Sequence, residues 1–224
     1  MKATARLQRA LGYQFKDPEL LERALTHRSA GKRNNERLEF LGDSIVNHVI
    51  AEALFHRFPT VREGSLSRMR ASLVKGVTLA ELARELQLGE NLKLGSGERK
   101  SGGHHRDSIL ADTLEAVAGA ILLDGGYAPC CDCLLRWFDS RLAAMTEASG
   151  DRDPKTRLQE YLQGRGLPLP DYALVAVEGE DHAREFEVAC RLTDSNVETR
   201  GQGSSRRSAE QAAAEAALAS LADG

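Results

Sequence analysis

Apolar residues recur at three- and four-residue steps through most of the first two-thirds of the chain. That is the period of a helix with one buried face. TARLQRAL and PELLERALTH, a long segment from Glu36 to about Arg57, and LSRMRASLVKGVTLAELARELQL all carry it. Another helix is expected from about Asp107 through ILADTLEAVAGAILL to Leu123. Asp124-Gly125-Gly126 closes it, because glycine adopts the left-handed turn that ends helices at little cost. A further helix follows Pro129 through LLRWFDSRLAAM. No credible strand is read in this part.

The pattern then changes. EASGDRDP, from Glu147 to Pro154, is polar and apolar-poor, as a linker is. KTRLQEYLQGRG returns to helical spacing. DYALVAVEG, REFEVACRL and NVETRGQG alternate, as half-buried strands do, with a turn expected at Gly179-Glu180-Asp181. The Ala-rich RSAEQAAAEAALASLA closes the chain as a helix. The expectation is an all-α domain over 1–147, a linker over 148–153 and an α-β-β-β-α domain over 154–224. The second domain is near the lower limit for a self-sufficient core, yet one sheet covered by two helices meets it.

Composition narrows the function classes. At 224 residues, 42% hydrophobic and 28% charged, the chain reads as an ordinary globular protein. No run approaches the length of a membrane span. The start, MKATARLQRALGYQF, lacks the continuous apolar stretch and small-residue cleavage site of a signal peptide. A cytoplasmic protein is expected. Of the four cysteines, Cys130, Cys131 and Cys133 crowd into PCCDC and Cys190 lies far away. That spacing is neither a disulfide framework nor a zinc finger, and the reading taken is small residues opening a helix in a reducing compartment. The net charge of −3 makes no whole-chain electrostatic case for nucleic acid.

Carboxylates change the picture. Glu36, Glu39 and Asp43 stand at i, i+3 and i+7, on one side of a helix that Leu38, Leu41, Ile45 and Val49 send into a core. Asp112 and Glu115 repeat the i, i+3 spacing inside a strongly apolar helix, and Glu63 opens another. A single acid at a helix start is ordinarily a response to the helix dipole. A cluster is not. Two carboxylates about 5 Å apart repel by roughly 3 kcal/mol at an effective dielectric near 20. No basic residue lies on the same stripe, and the 108–124 segment has none. A hard divalent cation is the economical counter-charge, and one that holds water and phosphate oxygen points to phosphoester hydrolysis. This requires the two acidic helices to meet. LGSGERKSGG lacks the order of a phosphate-cradling loop and is read as a mobile polar loop able to contact a substrate. His104-His105 is read as solvated.

NERLEFLGDS (Asn35–Ser44) resembles the signature of the bacterial ribonuclease III family. The similarity extends through EGSLSRMRASLV, LGSGERKSGG and SILADTLEAVAG to DPKTRLQEYLQG and GSSRRSAEQAAAEAAL, nearly the whole chain. The resemblance implies a Mg²⁺-dependent endonuclease, with Mn²⁺ a plausible substitute. It would cut double-stranded RNA to 5′-phosphate and 3′-hydroxyl ends, ribosomal RNA precursors and some mRNAs among its substrates. By motif position Glu39, Asp43, Asp112 and Glu115 match the metal-binding acids, with Asp43 and Glu115 the most critical to catalysis. Glu36 and Glu63 match supporting acids, and Phe40 a residue that packs into the partner of a homodimer. The C-terminal unit resembles a double-stranded RNA-binding domain, which reads A-form shape across two minor grooves. There Thr156, Gln159, Glu160 and Gln163 would meet one minor groove, His182 the next, and Arg206 and Arg207 the phosphates between. Glu210 departs from the motif, standing where a third basic residue is usual. Residues 154–224 hold eight Lys and Arg against twelve Asp and Glu, so weak, salt-sensitive binding is expected of this unit. Two other classes remain: a non-cutting RNA-binding regulator of the same fold, and an all-α phosphohydrolase of small phosphates. The intact set of acids disfavours the first and the C-terminal pattern the second.

Overall fold

The structure, a computed structural model, describes residues 2–150, 153–178, 184–193 and 197–222. The chain divides into two compact units, Met1–Gly150 and Asp151–Gly224.

The first unit is helical: α1 (Lys2–Leu11), α2 (Pro18–Ala24), α3 (Glu36–Arg57), α4 (Glu63–Val74), α5 (Gly76–Glu85), α6 (Ser96–Lys100), α7 (Asp107–Gly125) and α8 (Tyr127–Ala143). A short 3-10 turn over Glu147–Gly150 ends it, where Arg68 Nε donates to the Gly150 carbonyl at 2.8 Å. Capping explains several boundaries. Asp17 accepts from the Glu19 amide at 2.9 Å, and Pro18 takes the first position of α2, where no amide hydrogen is needed. Gly126 stops α7 at φ +85°. Pro129 sits in the first turn of α8, which starts at Tyr127, two residues earlier than expected.

The stretch that reads as one helix from Leu66 to Leu88 is broken. Lys75 is extended, at ψ 148°, and the chain turns a corner between α4 and α5. The Thr78 hydroxyl donates to the Ser72 carbonyl at 3.1 Å, satisfying one of the acceptors that the end of α4 leaves free. LGSGERKSGG is not simply a loop either. It holds α6 and, beyond it, a 3-10 turn over Gly103–His105.

α7 is the centre of this unit. Leu110, Leu114, Val117 and Ile121 are buried, as are Ala111, Ala116, Ala118 and Ala120, so it is apolar nearly all round. α3 packs across it more closely than ordinary side chains allow. A Cβ added at Gly42 would lie 1.7 Å from the Glu115 carbonyl oxygen, and one added at Gly119 would lie 2.3 Å from that of Leu38. The crossing therefore depends on glycine on both helices, and it brings the acidic turn of α3 against that of α7. Cys130 and Cys133 are buried against this core. Burial pushes the Cys130 thiol up to about 12 and that of Cys133 upward as well.

The second unit runs α9 (Pro154–Gln163), β1 (Asp171–Glu178), β2 (Glu185–Arg191), β3 (Glu198–Gly203) and α10 (Arg206–Ala222). Its sheet is antiparallel in the order β1-β2-β3, with Tyr172 opposite Cys190 and Cys190 opposite Thr199. Leu158, Leu162, Cys190, Leu192, Ala213, Ala214 and Ala217 form the core. Its Ala-rich face lets α10 lie directly on β3: a Cβ at Gly201 would fall 2.1 Å from the Ala213 nitrogen. The turn expected at Gly179-Glu180-Asp181 lies outside the described residues.

Candidate metal centre

The α3–α7 crossing builds the acidic site. Glu39 comes from the first turns of α3, Asp112 and Glu115 from the middle of α7. One ligand oxygen from each lies within 4.8 Å of the other two, and all three side chains are half-buried. Helices that the sequence reading could place only separately do meet here.

The other expected acids stand around this trio. Asp43 is exposed and accepts from Asn47 Nδ2 at 2.9 Å. It is outside the close trio, yet its charge is felt at Glu115. Glu36 is exposed, 3.8 Å from the Arg28 guanidinium. Glu63 is not with them. It opens α4, accepts the Ser67 hydroxyl at 2.7 Å, and lines a separate pocket of about 330 Å³ with His48, Glu52, Phe55 and Leu66. Phe40, one residue from Glu39, is 79% exposed.

The electrostatics follow from burial without enough counter-charge. The Glu115 carboxyl is raised to about 8, first by desolvation and then by Asp43, Asp112 and Glu39. Glu39 is raised by desolvation and by Asp112. Asp112 is raised by desolvation, with His27 and Arg28 opposing. Without a cation, Glu115 holds a proton at neutral pH. Three hard oxygen donors at this spacing, short of positive charge, fit a hard divalent metal ion. Softer metals prefer thiolate or imidazole, and the trio offers neither.

His27 and Arg28 escaped sequence reasoning because they lie outside the acidic stripe. They come from the turn after α2. A parallel bridge between Thr26 and Lys93 fixes that turn, and the Gly95 amide donates to Ser29 Oγ at 3.0 Å. The result is an acidic pocket with a basic rim: His27, Arg28 and Arg106 line it together with Glu36, Glu39 and Asp112. Arg106 is held by Glu98 of α6 at 2.8 Å, so the polar segment before α7 does reach the site. Asn35 lines the same pocket, 2% exposed, and its Nδ2 is a buried donor without a partner among the described residues. Gly42 and Gly119 were missed as well. Their signal was a glycine inside each of two otherwise strong helical patterns.

In the second unit, Thr156, Gln159, Glu160 and Gln163 share one face of α9. The Asp153 carboxylate caps this helix, accepting from the Thr156 amide at 3.0 Å. Arg206 and Arg207 are exposed at the start of α10. His182 lies outside the described residues.

Comparison with known proteins agrees with this architecture. Residues 17–142 match the family model described as Ribonuclease-III-like, and residues 154–221 match the double-stranded RNA binding motif. A protein named Ribonuclease 3 from Hahella chejuensis is 60% identical over 216 residues, 96% of each chain. The chain belongs to the ribonuclease III family. Among solved structures of that family, the nuclease domain from Campylobacter jejuni is 42% identical with a TM-score of 0.62. It aligns over 65% of this chain and 100% of its own. A second structure of that domain, described by its flexibility in a region involved in dimer formation, is 44% identical with a TM-score of 0.59. It covers 60% of this chain and 95% of its own. Among the described residues no helix is long and apolar enough to cross a membrane.

Proposed function

We propose that this ribonuclease III family member is a Mg²⁺-dependent endonuclease of double-stranded RNA that works as a homodimer, with Mn²⁺ able to substitute. The observation that carries the reading is the Glu39–Asp112–Glu115 trio, gathered by a helix crossing that admits no Cβ and left short of positive charge. When bound there, the metal ion would supply an activated water and charge stabilisation at the scissile phosphate. Glu39, Asp112 and Glu115 would hold it. Asp43, whose charge reaches Glu115, would be a fourth metal-binding acid and, with Glu115, the most critical to catalysis. Arg28 and Arg106 on the rim would steady the flanking phosphates, for which a planar guanidinium is suited. Glu36 would restrain Arg28.

Residues 1–147 are assigned to catalysis and dimerisation, 148–153 to a linker and 154–224 to RNA binding. Phe40 is the seat of the dimer contact, because a large aromatic group so exposed beside a functional site is costly unless covered. The pocket bearing Glu63 offers a place for the partner's copy. One site per strand suits a duplex whose strands are related by two-fold axes. The α9 face and the start of α10 would grip the duplex, with His182 reaching the next minor groove. Substrates would be structured transcripts in the cytoplasm, ribosomal RNA precursors and some mRNAs among them. Four free cysteines suit that reducing compartment.

Cleavage of a long, perfectly paired RNA tests the reading. Products with 5′-phosphates are expected in Mg²⁺, and none with Ca²⁺ substituted. Glu115→Gln is expected to lower kcat by a thousandfold or more, on the order of what loss of a principal charge-stabilising group costs. Tight duplex binding without cutting, whichever divalent metal is supplied, would leave a non-cutting RNA-binding protein in its place.

A further inference from the structure

The RNA-binding unit is net negative, and the structure shows where its positive charge goes. At least five of its eight basic residues, Lys155, Arg157, Arg191, Arg200 and Arg206, stand in ion pairs among the described residues. Arg165 stacks on the Tyr161 ring, its guanidinium carbon 3.7 Å from the centroid. Among the described residues Arg157 pairs with Glu215 alone, while Arg191 and Arg200 share the more exposed Glu198 across neighbouring strands, Arg200 also reaching Glu187. Glu210 is different. Its side chain is only 14% exposed, and its two oxygens serve two cations on two helices. Oε2 lies 2.6 Å from Lys155 Nζ on α9, and Oε1 lies 3.0 Å from Arg206 Nε on α10. Lys155 is further fixed over the Tyr172 ring at 4.4 Å. Both partners hold the Glu210 carboxyl below the usual carboxylate range, so it stays charged at neutral pH.

The two cations flank the surfaces assigned to RNA. Lys155 precedes Thr156 on α9, and Arg206 opens α10 beside Arg207. Arg207 is exposed, with no ion pair among the described residues. A phosphate that recruits Arg206 or Lys155 must take it from Glu210 or accept the carboxylate as a near neighbour. We propose that Glu210 is an affinity-setting residue, which holds Lys155 and Arg206 in reserve and keeps the duplex affinity and salt dependence of this unit low. This rests on the proposed RNA-binding role of the C-terminal unit and specifies how strongly it holds its substrate.

The test is equilibrium binding of the full-length protein to a fluorescent, perfectly paired RNA duplex in EDTA, across a salt series. Glu210→Gln removes the charge and keeps the shape. The dissociation constant is expected to fall about fivefold near 0.15 M salt. The slope of log K against log salt should steepen by about 1, the effect of one further phosphate neutralised per domain. Arg206→Gln should weaken binding more in the Glu210→Gln background than in the parent. That second comparison stays informative if Glu210→Gln alone loosens the α9–α10 packing. Unchanged or weaker binding by a Glu210→Gln protein with parental melting temperature would overturn the proposal, because Glu210 would then be orienting Arg206 rather than restraining it. Arg207→Gln separates the two levels. If it leaves binding unaltered, the assignment of the α10 start to RNA fails. If it weakens binding while Glu210→Gln strengthens nothing, only the affinity-setting role fails.

Discussion

Glu115 and Glu210 are both partly or largely buried carboxylates at the junction of two elements, and their surroundings are opposite. Around Glu115 the fold gathers Asp43, Asp112 and Glu39, while the nearby Arg28 acts on Asp112 and Glu39 instead. Around Glu210 it gathers Lys155 and Arg206. One carboxyl is driven up to about 8 and the other is lowered. An acid surrounded by acids is an unfinished arrangement that a cation from solution completes. An acid between two bases is finished by the chain itself, and its effect on a charged ligand is to withhold cations. The sign of local charge, rather than the presence of a carboxylate, decides which kind of site results.

The sharpest way to break this comparison is at the helix crossing. Gly42→Ala places a methyl group 1.7 Å from the Glu115 carbonyl oxygen unless the helices separate. Destabilisation of about 3 kcal/mol is expected, the upper end for overpacking a core. Any folded fraction should have lost metal affinity, read by denaturant melts and calorimetric titration with Mg²⁺. The same substitution at exposed Gly97, where an added Cβ meets nothing within 4 Å, should change stability little.

A pH series in EDTA sharpens the contrast through two opposite slopes. The folded Glu115 carboxyl titrates near 8, above its unfolded value near 4.3. Its contribution to stability is therefore fully present below about pH 4 and is lost as pH rises through 8. For Glu210, lowered in the folded state, the contribution is present above the unfolded value and is lost as pH falls through the folded one. Melting temperatures from pH 3 to 9 should show Glu115→Gln flattening the alkaline side and Glu210→Gln the acid side, each by about a few degrees. Identical profiles for the two variants would mean that burial alone governs both groups.

The smallest stability effect is expected at Phe40. At 79% exposed it contributes little to the subunit core, so Phe40→Ala should shift stability within one subunit by less than about 0.5 kcal/mol. Sedimentation should nevertheless show a weakened dimer. A parental dimer would move the association surface elsewhere.

Much of this was legible in the chain. Long helices and alternating strands announce themselves, because one buried face imposes a period. The acidic residues were legible because like charges on an apolar stripe demand an answer. What escaped was set by three-dimensional proximity. The close trio takes in Glu39 and not Asp43, although the two share a stripe, and spacing along one helix does not rank them. Arg28 reaches the site from a turn whose position depends on a bridge to Lys93, 67 residues further on than Thr26. The corner at Lys75 was hidden because apolar spacing continues in phase across it. Glu210 was visible as a departure from a basic pattern, but the two partners that give it meaning lie 55 and four residues before it, on different helices.

The buried thiols have a practical use. Cys130 in the first unit and Cys190 in the second are both fully shielded, and burial raises both thiols. At pH 7 a thiol titrating near 12 is ionised about once in a hundred thousand molecules, so it reacts only when its surroundings open. Each unit thus carries an internal clock for its own opening. Alkylation followed by peptide mass analysis would time the two units separately in one unmodified protein, and show whether metal slows the first without touching the second.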